Sequence, residues 1–260
     1  MAYWLIKALL GPVMRFFYRI RVEGLEHVPS DGAAILAGNH LAVCDSFFLP
    51  LVLPRRVTFV AKAEYFEDPK TAWFFRAAGQ IPIKREGGSA SERALLAARE
   101  VLDQGGLFAI YPEGTRSPDG RLHKGHTGVA RLALQTGAPV LAVAVIGTRE
   151  AQPIGQAIPR VFMPIVIRIS PPMTFDRYTD RAADPKALRQ ITDEVMFELR
   201  ELSGQEYVDS YAVRKGSPEA ADPARVASAI EVGAALVGRS MLAEHQDLHQ
   251  SNGVTRAGIA

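Results

Sequence analysis

Short apolar runs alternate with amphipathic segments along most of this chain. Four runs are almost continuously apolar, which is typical of strands that are buried on both faces of a sheet. They predict strands at 33–38, 57–61, 107–111 and 140–146. Apolar positions at helical spacing fill most of the intervals between them. This pattern predicts an α/β fold, with a single domain built on a mostly parallel or mixed central sheet covered by helices.

Turn and cap residues indicate where the other predicted elements begin and end. These are a strand over 18–28 and helices over 46–52, 68–79, 91–104, 127–135 and 184–204. Asp68-Pro69 supplies an N-cap and a proline at the first helical position, and Asp184-Pro185 starts the last of these helices. The segment 80–84 is expected to return to the same sheet. A strand over 162–169 is expected at an edge, because Pro164 has no N–H for a central ladder.

The first twenty residues predict an amphipathic helix, an N-terminal membrane-interface segment. Lys7, Arg15 and Arg19 share one side of a helical wheel, and Trp4 lies toward that side. Apolar residues line the opposite side: Leu5, Leu9, Val13, Phe16 and Ile20. A basic amphipathic segment of this kind can lie in a bilayer surface. The alternative is a helix that packs on its own domain, and Pro12 would bend or split either version.

Composition narrows the possible classes of function. The 260 residues are 48% hydrophobic, which supports a real core, and the formal charge of +2 includes no long basic stripe for nucleic acid. No stretch reaches the roughly 20 apolar residues of a membrane-spanning helix, and a signal-peptide cleavage site is lacking. The single cysteine, Cys44, fits a reducing compartment. We therefore expect a peripheral, monotopic protein at the cytoplasmic face of a membrane.

The end of the chain predicts an appendage outside the main domain. Residues 212–222 have the composition of a linker, and a possible helix after Asp222-Pro223 is weakened by Gly233 and Gly238. We accordingly divide the chain into the interface segment 1–20, a main domain 21–212, and a partly disordered linker with a possible helix at 213–260.

A histidine and an aspartate, His40 and Asp45, follow the strand predicted at 33–38. Histidine titrates near neutrality, which suits a general base acting on a hydroxyl. A carboxylate on its other ring nitrogen would fix the tautomer and stabilise the imidazolium. If the chain turns directly into a helix, Asp45 falls within reach of the ring. The same spacing is also met by a structural histidine with Asp45 as an N-cap.

Two other side chains of this loop are alternative nucleophiles. Cys44 would need a correctly placed base, and its apolar neighbours favour a small buried filler. Ser46 is disfavoured more strongly, since no G-x-S-x-G motif of a serine hydrolase occurs anywhere.

Four cations follow other predicted strands. Lys84 and Arg85 end one segment, Arg116 follows the strand at 107–111, and Lys124 comes shortly after. Ligands of open α/β sheets bind at the carboxyl ends of strands. Cations that converge there would suit a phosphate monoester, with arginine giving bidentate contacts. Each of them alone is more often a solvated surface charge.

Three further polar residues near Arg116 have open roles. Glu113 could order the turn, pair with an arginine or contact substrate hydroxyls. The segment 120–127 nearly matches a P-loop, but His126 occupies the position of the essential lysine. His123 and His126 lack an obvious third ligand, so no metal site is expected.

Several segments occur in the order of the sequence blocks of the glycerolipid acyltransferases, the 1-acyl-sn-glycerol-3-phosphate acyltransferases and their relatives. They are Asn39-His40-x4-Asp45, Gly79…Pro82-Ile83-Lys84-Arg85, Tyr111-Pro112-Glu113-Gly114-Thr115-Arg116-Ser117, Leu122-His123-Lys124-Gly125 and Ala138-Pro139-Val140. Together they resemble that family over about residues 20–150. The chain departs from it at Ala42, where serine is frequent, and at Tyr111, where phenylalanine is commoner.

The resemblance implies acyl transfer from an acyl thioester, acyl-CoA or acyl-carrier protein, to a lysophospholipid acceptor, which we take to be lysophosphatidic acid. We expect the acceptor hydroxyl to attack the thioester directly, without an acyl-enzyme and without another cofactor, because a thiolate leaves easily. The resemblance assigns His40 as the base and Asp45 as its partner. It assigns acceptor binding to Arg85, Glu113, Gly114 and Arg116. We add Lys84, Thr115 and Lys124 to the predicted substrate-binding residues, because they lie beside this set in the sequence. Another lysolipid or glycolipid acceptor, a thioesterase, and a catalytically silent lipid-binding protein remain alternatives.

Overall fold

A mixed six-stranded sheet organises the protein, for which a computed structural model describes residues 2–83, 90–156 and 158–213. Its strands are, in spatial order, β1 (Arg19–Glu23), β9 (Pro164–Ile169), β8 (Val140–Ile146), β2 (Ala34–Gly38), β6 (Leu107–Ile110) and β3 (Val57–Thr58). Two short pairs lie apart from it: β4 (Val60–Lys62) with β5 (Ile81–Ile83), and β7 (Leu122–His123) with β10 (Tyr207–Val208). The predicted α/β class with a mixed sheet is confirmed.

Eight α-helices connect these strands within the described ranges: α1 (Ala2–Phe17), α2 (Asp45–Val52), α3 (Glu64–Glu67), α4 (Pro69–Ala77), α5 (Ala90–Asp103), α6 (Gly128–Thr136), α7 (Thr148–Ala151) and α8 (Pro185–Ser203). Short 3-10 turns occupy Leu25–His27 and Asp176–Arg181. The predicted caps hold: Asp68 accepts from the Lys70 N–H at 2.9 Å, and Asp184 accepts from the Lys186 N–H at 2.8 Å. These bonds satisfy N–H groups that a helix start leaves free.

The prediction of an edge strand at 162–169 was wrong. β9 lies between β1 and β8, antiparallel to β8 and parallel to β1. Pro164 is its first residue and is exposed, so the missing N–H falls at the start of the ladder, a position that tolerates proline.

The prediction that 80–84 returns to the main sheet was also wrong. The apolar run at 57–61 divides at Phe59, so that β3 pairs with β6 while β4 pairs with β5 outside the main sheet. The Gln80 side chain accepts from the Phe59 N–H at 2.7 Å, and the Ile81 N–H donates to the Phe59 carbonyl at 3.0 Å. These bonds tie β5 to the point where the run divides.

The core is divided between the two faces of the sheet. Alternate residues of β2 point to opposite sides, so Leu36 joins one apolar cluster and Ile35 the other. The first cluster includes Phe48 of α2, with Met14 of α1 packed against it. The second includes residues of α5, α6 and α8, such as Ile191. Helices α1 and α2 therefore cover one face, and α5, α6 and α8 cover the other.

Helix α1 is one continuous helix that contains Pro12. Arg19 lies outside it, in β1, so the predicted helix over the first twenty residues is too long. Its inner side packs on the domain through Tyr3, and Lys7 Nζ donates to the Leu53 carbonyl. Large apolar side chains remain exposed on its outer side: Trp4, Leu5, Leu9, Leu10, Val13 and Phe16.

Within the described ranges, every helix is too short or too polar to cross a bilayer. Residues 214–260, which include most of the predicted linker and possible helix, lie outside the described residues.

Candidate active site

His40 and Asp45 meet in the loop between β2 and α2. His40 Nδ1 lies 3.0 Å from Asp45 Oδ2, and the same oxygen accepts from the N–H groups of Leu41 at 2.7 Å and Ala42 at 2.8 Å. Asp45 is buried at the first residue of α2, while the His40 side chain is 16% exposed. The carboxylate thus orients the ring through Nδ1, and Nε2 has no hydrogen-bond partner among the residues that the structure describes.

Tyr111, the residue after β6, is stacked on the His40 ring. The ring centroids are 3.9 Å apart and the planes differ by 7°. Tyr111 Oη lies 2.8 Å from Ser46 Oγ, and burial raises the pKa of the phenol well above its ordinary value. Sequence reasoning did not include Tyr111 or Ser46 in the site. Tyr111 ends the apolar run predicted at 107–111, but only the structure shows that β6 lies beside β2 and brings this ring to His40.

Glu113 is buried and joins two segments of the site. Oε1 accepts from the His40 N–H at 3.2 Å, and Oε2 accepts from the His123 N–H at 3.0 Å. Burial raises the pKa of Glu113 to about 7, against the lowering effect of these two bonds. Of the roles left open for Glu113, ordering the turn is the one with contacts among the described residues.

The turn after β6 lies against the His40 backbone. The Ser117 N–H donates to the His40 carbonyl at 2.7 Å. Gly114 has a φ of 70°, and a Cβ there would approach the His126 ring at 3.1 Å, so both backbone and space favour glycine. Thr115 is half-buried and Arg116 is exposed. The structure therefore brings the turn that carries Arg116 next to the histidine loop.

Of the other predicted cations, Lys124 lies within the described residues. Lys124 Nζ is 2.8 Å from Asp209 Oδ1, and this hydrogen bond raises the pKa of the lysine. Lys84 and Arg85 lie outside the described residues. Convergence of all these cations on one cleft stays a prediction. Arg116 is exposed and makes no ion pair with a carboxylate of the described ranges.

Cys44 is buried, and its backbone N–H donates to Gln152 Oε1 at 2.8 Å. Burial, together with the nearby Asp45 charge, raises the pKa of the thiol to about 12. A thiol that stays protonated near neutral pH is a poor nucleophile. These facts agree with the prediction of a buried filler.

Two histidines near the turn are engaged by neighbours. His123 Nε2 lies 3.0 Å from Asp119 Oδ1, and His126 is stacked on Tyr211 with centroids 4.5 Å apart. Among the residues the structure describes, no group of three or more histidines, cysteines or carboxylates is arranged to hold a metal ion.

Asn39 anchors the end of β2 and was also missed as part of the site. Its Oδ1 accepts from the Val145 N–H at 2.8 Å, and its Nδ2 donates to Gln205 Oε1 at 2.7 Å. The side chain is buried, and these bonds join the backbone immediately before His40 to β8 and to the segment that follows α8.

Comparisons with known proteins agree on one family. Residues 19–146 match the family model described as acyltransferase. The chloroplastic 1-acyl-sn-glycerol-3-phosphate acyltransferase LPAT1 of Arabidopsis thaliana is 35% identical over 140 residues, covering 54% of this chain and 39% of that protein. The 1-acyl-sn-glycerol-3-phosphate acyltransferase of Limnanthes douglasii is 32% identical over 174 residues, covering 66% of this chain and 61% of that protein.

A solved structure has the same fold. The crystal structure of the 1-acyl-sn-glycerophosphate acyltransferase PlsC from Thermotoga maritima is similar with a TM-score of 0.58 and 28% identity, over 76% of each chain. The matches to the curated plant relatives named above span about two fifths to three fifths of their length.

Proposed function

Because residues 19–146 belong to the acyltransferase family, we propose that this protein transfers an acyl chain from an acyl thioester to the free hydroxyl of lysophosphatidic acid, giving phosphatidic acid. The donor is acyl-CoA or an acyl-carrier protein. The observation that carries the proposal is the His40–Asp45 pair, whose 3.0 Å contact orients an accessible imidazole at the end of a central strand. Relatives named for this reaction support the choice of acceptor.

The proposed step uses His40 as a general base. With Nδ1–H donated to Asp45, Nε2 accepts the proton of the acceptor hydroxyl while its oxygen attacks the thioester carbonyl. The tetrahedral oxyanion collapses and expels a thiolate, which takes the proton from Nε2–H. Asp45 stabilises the imidazolium between the two transfers. No acyl-enzyme forms, and the buried Cys44 thiol, with its pKa of about 12, supports this direct route.

Acceptor binding is proposed to rest on the turn after β6. Arg116 would bind the acceptor phosphate, and Lys84, Arg85 and Lys124 would add positive charge. Glu113 would act by holding the turn against the His40 loop, since both of its carboxylate oxygens accept backbone N–H bonds.

We further propose that the protein is peripheral and monotopic, at the cytoplasmic face of a membrane. The exposed apolar side of α1 would lie in the bilayer surface, with Trp4 close to Lys7 at 5.6 Å from ring centroid to Nζ. The lipid acceptor and the lipid product would lie in the same bilayer.

The test is thiol release from acyl-CoA by the purified protein, with and without lysophosphatidic acid. His40→Ala should lower acceptor-dependent release by about 10²–10⁴-fold, the usual contribution of a general base. Cys44→Ala should retain most of it. His27→Ala is a matched control, because His27 contacts the Ile169 carbonyl at the opposite edge of the sheet and should leave transfer intact.

Each contrary outcome has a distinct meaning. A folded but inactive Cys44→Ala would overturn the direct route. Release that needs no acceptor would indicate a thioesterase, and no release with any acceptor would indicate a lipid-binding protein. A matrix of donors against lysolipid and glycolipid acceptors would identify another acceptor class.

A further inference from the structure

An exposed apolar segment that the N-terminal prediction did not include precedes β9. Residues 158–162, the 158–162 loop, have the sequence Ile-Pro-Arg-Val-Phe. Ile158 is 82% exposed, Val161 47% and Phe162 61%. Single exposed apolar residues are ordinary, but a contiguous apolar patch on a protein surface marks an interaction site.

The backbone of this loop is held in place. The Phe162 N–H donates to the Phe17 carbonyl at 2.6 Å, and Tyr18 Oη donates to the Pro159 carbonyl at 3.2 Å. The Arg160 N–H donates to the Ala151 carbonyl at 2.7 Å. The loop is therefore fixed at the junction of α1 and β1, and its apolar side chains still face outward.

Phe162 has a φ of 62°, unique among the non-glycine residues that the structure describes. A bulky side chain in the left-handed region is strained. The exposed part of the ring gains little from burial in the protein, so folding alone does not account for this strain.

The loop continues the apolar side of α1. The ring centroids of Phe16 and Phe17 are 5.3 Å apart, and those of Phe17 and Phe162 are 5.8 Å apart. Phe16 is exposed on the same outer side of α1 as Leu5 and Leu9. One aromatic row thus joins the helix to the loop.

This apolar surface lies at the same edge of the sheet as His40. Because β9 is antiparallel to β8, its start lies beside the carboxyl end of β8, and the parallel strand β2 ends at that edge too. In β1, Arg19 pairs with Pro164, so β1 also starts there. Arg15, Arg19 and Arg160 are exposed around the surface and would complement anionic head groups.

We propose that the 158–162 loop is a second membrane-contacting element, which inserts Ile158, Val161 and Phe162 into an anionic bilayer beside α1. The inference rests on the proposed membrane association. It adds that the bilayer meets the edge of the sheet that carries His40, so a lipid acceptor reaches the base from the membrane side.

The experiment is flotation of the full chain with vesicles of phosphatidylcholine and phosphatidylglycerol. The variant Ile158→Ser with Phe162→Asn removes two apolar side chains, and asparagine tolerates positive φ, so its Tm should not fall. Its partition coefficient should drop at least about tenfold, since two apolar side chains no longer enter the apolar part of the bilayer. Phe197→Ser is the matched control, because Phe197 is 58% exposed on α8 at the other face of the sheet.

The outcomes separate this inference from the membrane proposal. Unchanged binding of the loop variant, with binding lost on Leu5→Ser and Leu9→Ser in α1, would overturn the loop inference and leave the membrane proposal standing. If both variants bind as the wild type does, both ideas fail. A wild type that is dimeric in solution, with a monomeric loop variant, would show that the patch binds a second copy of the chain and would overturn the inference.

Discussion

Asp45 explains why the histidine and aspartate are five positions apart. One buried oxygen accepts from the His40 ring and from two backbone N–H groups of the loop between them. These charge-assisted bonds offset the cost of removing the carboxylate from water. The same contacts fix the loop, so the orientation of the imidazole and the shape of the turn depend on one side chain.

Binding of the acceptor phosphate can be tested at Arg116. Arg116→Ala should raise the KM for lysophosphatidic acid by roughly 10–100-fold, the loss expected for a charge-assisted bond, and change kcat little. Arg131→Ala, on an exposed arginine of α6, should change neither value. Steady-state kinetics with phosphorylated and unphosphorylated acceptors measure this. An unchanged KM for the phosphorylated acceptor would remove Arg116 from the role.

Glu113 should make the free energy of unfolding fall as the pH rises. Its folded pKa of about 7 exceeds the unfolded value of 4.5, because burial disfavours the charged form. The folded state therefore binds the proton more tightly. The stabilisation is complete below pH 4.5 and is lost as the pH approaches 7, amounting to about 3 kcal/mol at most.

Urea unfolding of wild type and Glu113→Gln at several pH values between 4.5 and 7.5 measures this effect. Glutamine does not titrate, so the variant should show a flatter dependence of the free energy of unfolding on pH. Glu26→Gln, which changes an exposed carboxylate, should keep the wild-type slope. Equal slopes for wild type and Glu113→Gln would contradict the prediction.

Among the elements, α1 combines the two alternatives that its sequence left open, a helix packed on its own domain and a helix with an apolar side for a membrane surface. Its inner side packs on the domain through Tyr3 and Met14, and its outer side presents large apolar residues. Removal of the whole helix would therefore expose part of the core. Substitutions on the outer side alone test the membrane role more cleanly.

The variant Leu5→Ser with Leu9→Ser should weaken binding to anionic vesicles at least about tenfold, because both side chains lie on the exposed side of α1. Leu96→Ser is the matched control, since Leu96 is 60% exposed on α5 at the other face of the sheet. Flotation with vesicles measures both. Wild-type binding by the α1 variant would locate the interface on another element.

For the whole molecule, the described core lies in the first of two units of the chain. The buried members of both apolar clusters lie between Tyr18 and Leu199, and residues 1–212 form one compact unit. The predicted boundary near residue 212 can therefore be tested by truncation.

A chain that ends at Ala212 should unfold cooperatively, with a Tm within about 4 °C of the full chain, the shift that ~1 kcal/mol gives in a domain of this size. It should also keep acceptor-dependent thiol release. Calorimetry and the release assay measure this. Aggregation or a much lower Tm would show that residues 213–260 contribute to the fold.

The amino-acid sequence alone determined the elements that depend on neighbouring residues. Continuous apolar runs predicted β2, β6 and β8, and cap residues predicted the starts of α4 and α8. These signals are local, since burial periodicity and capping act within a few residues. The resemblance, carried by short blocks around the chemical groups, identified the family without coordinates.

How the elements combine follows from contacts between distant parts of the chain. Apolar periodicity is the same for either strand direction, so it could not show that β9 lies antiparallel inside the sheet. Nor could it show that Glu113 is buried between His40 and His123, where desolvation raises its pKa. The position of β9 and the burial of Glu113 both depend on contacts between segments that are far apart in the sequence. Those contacts exist only in the folded chain.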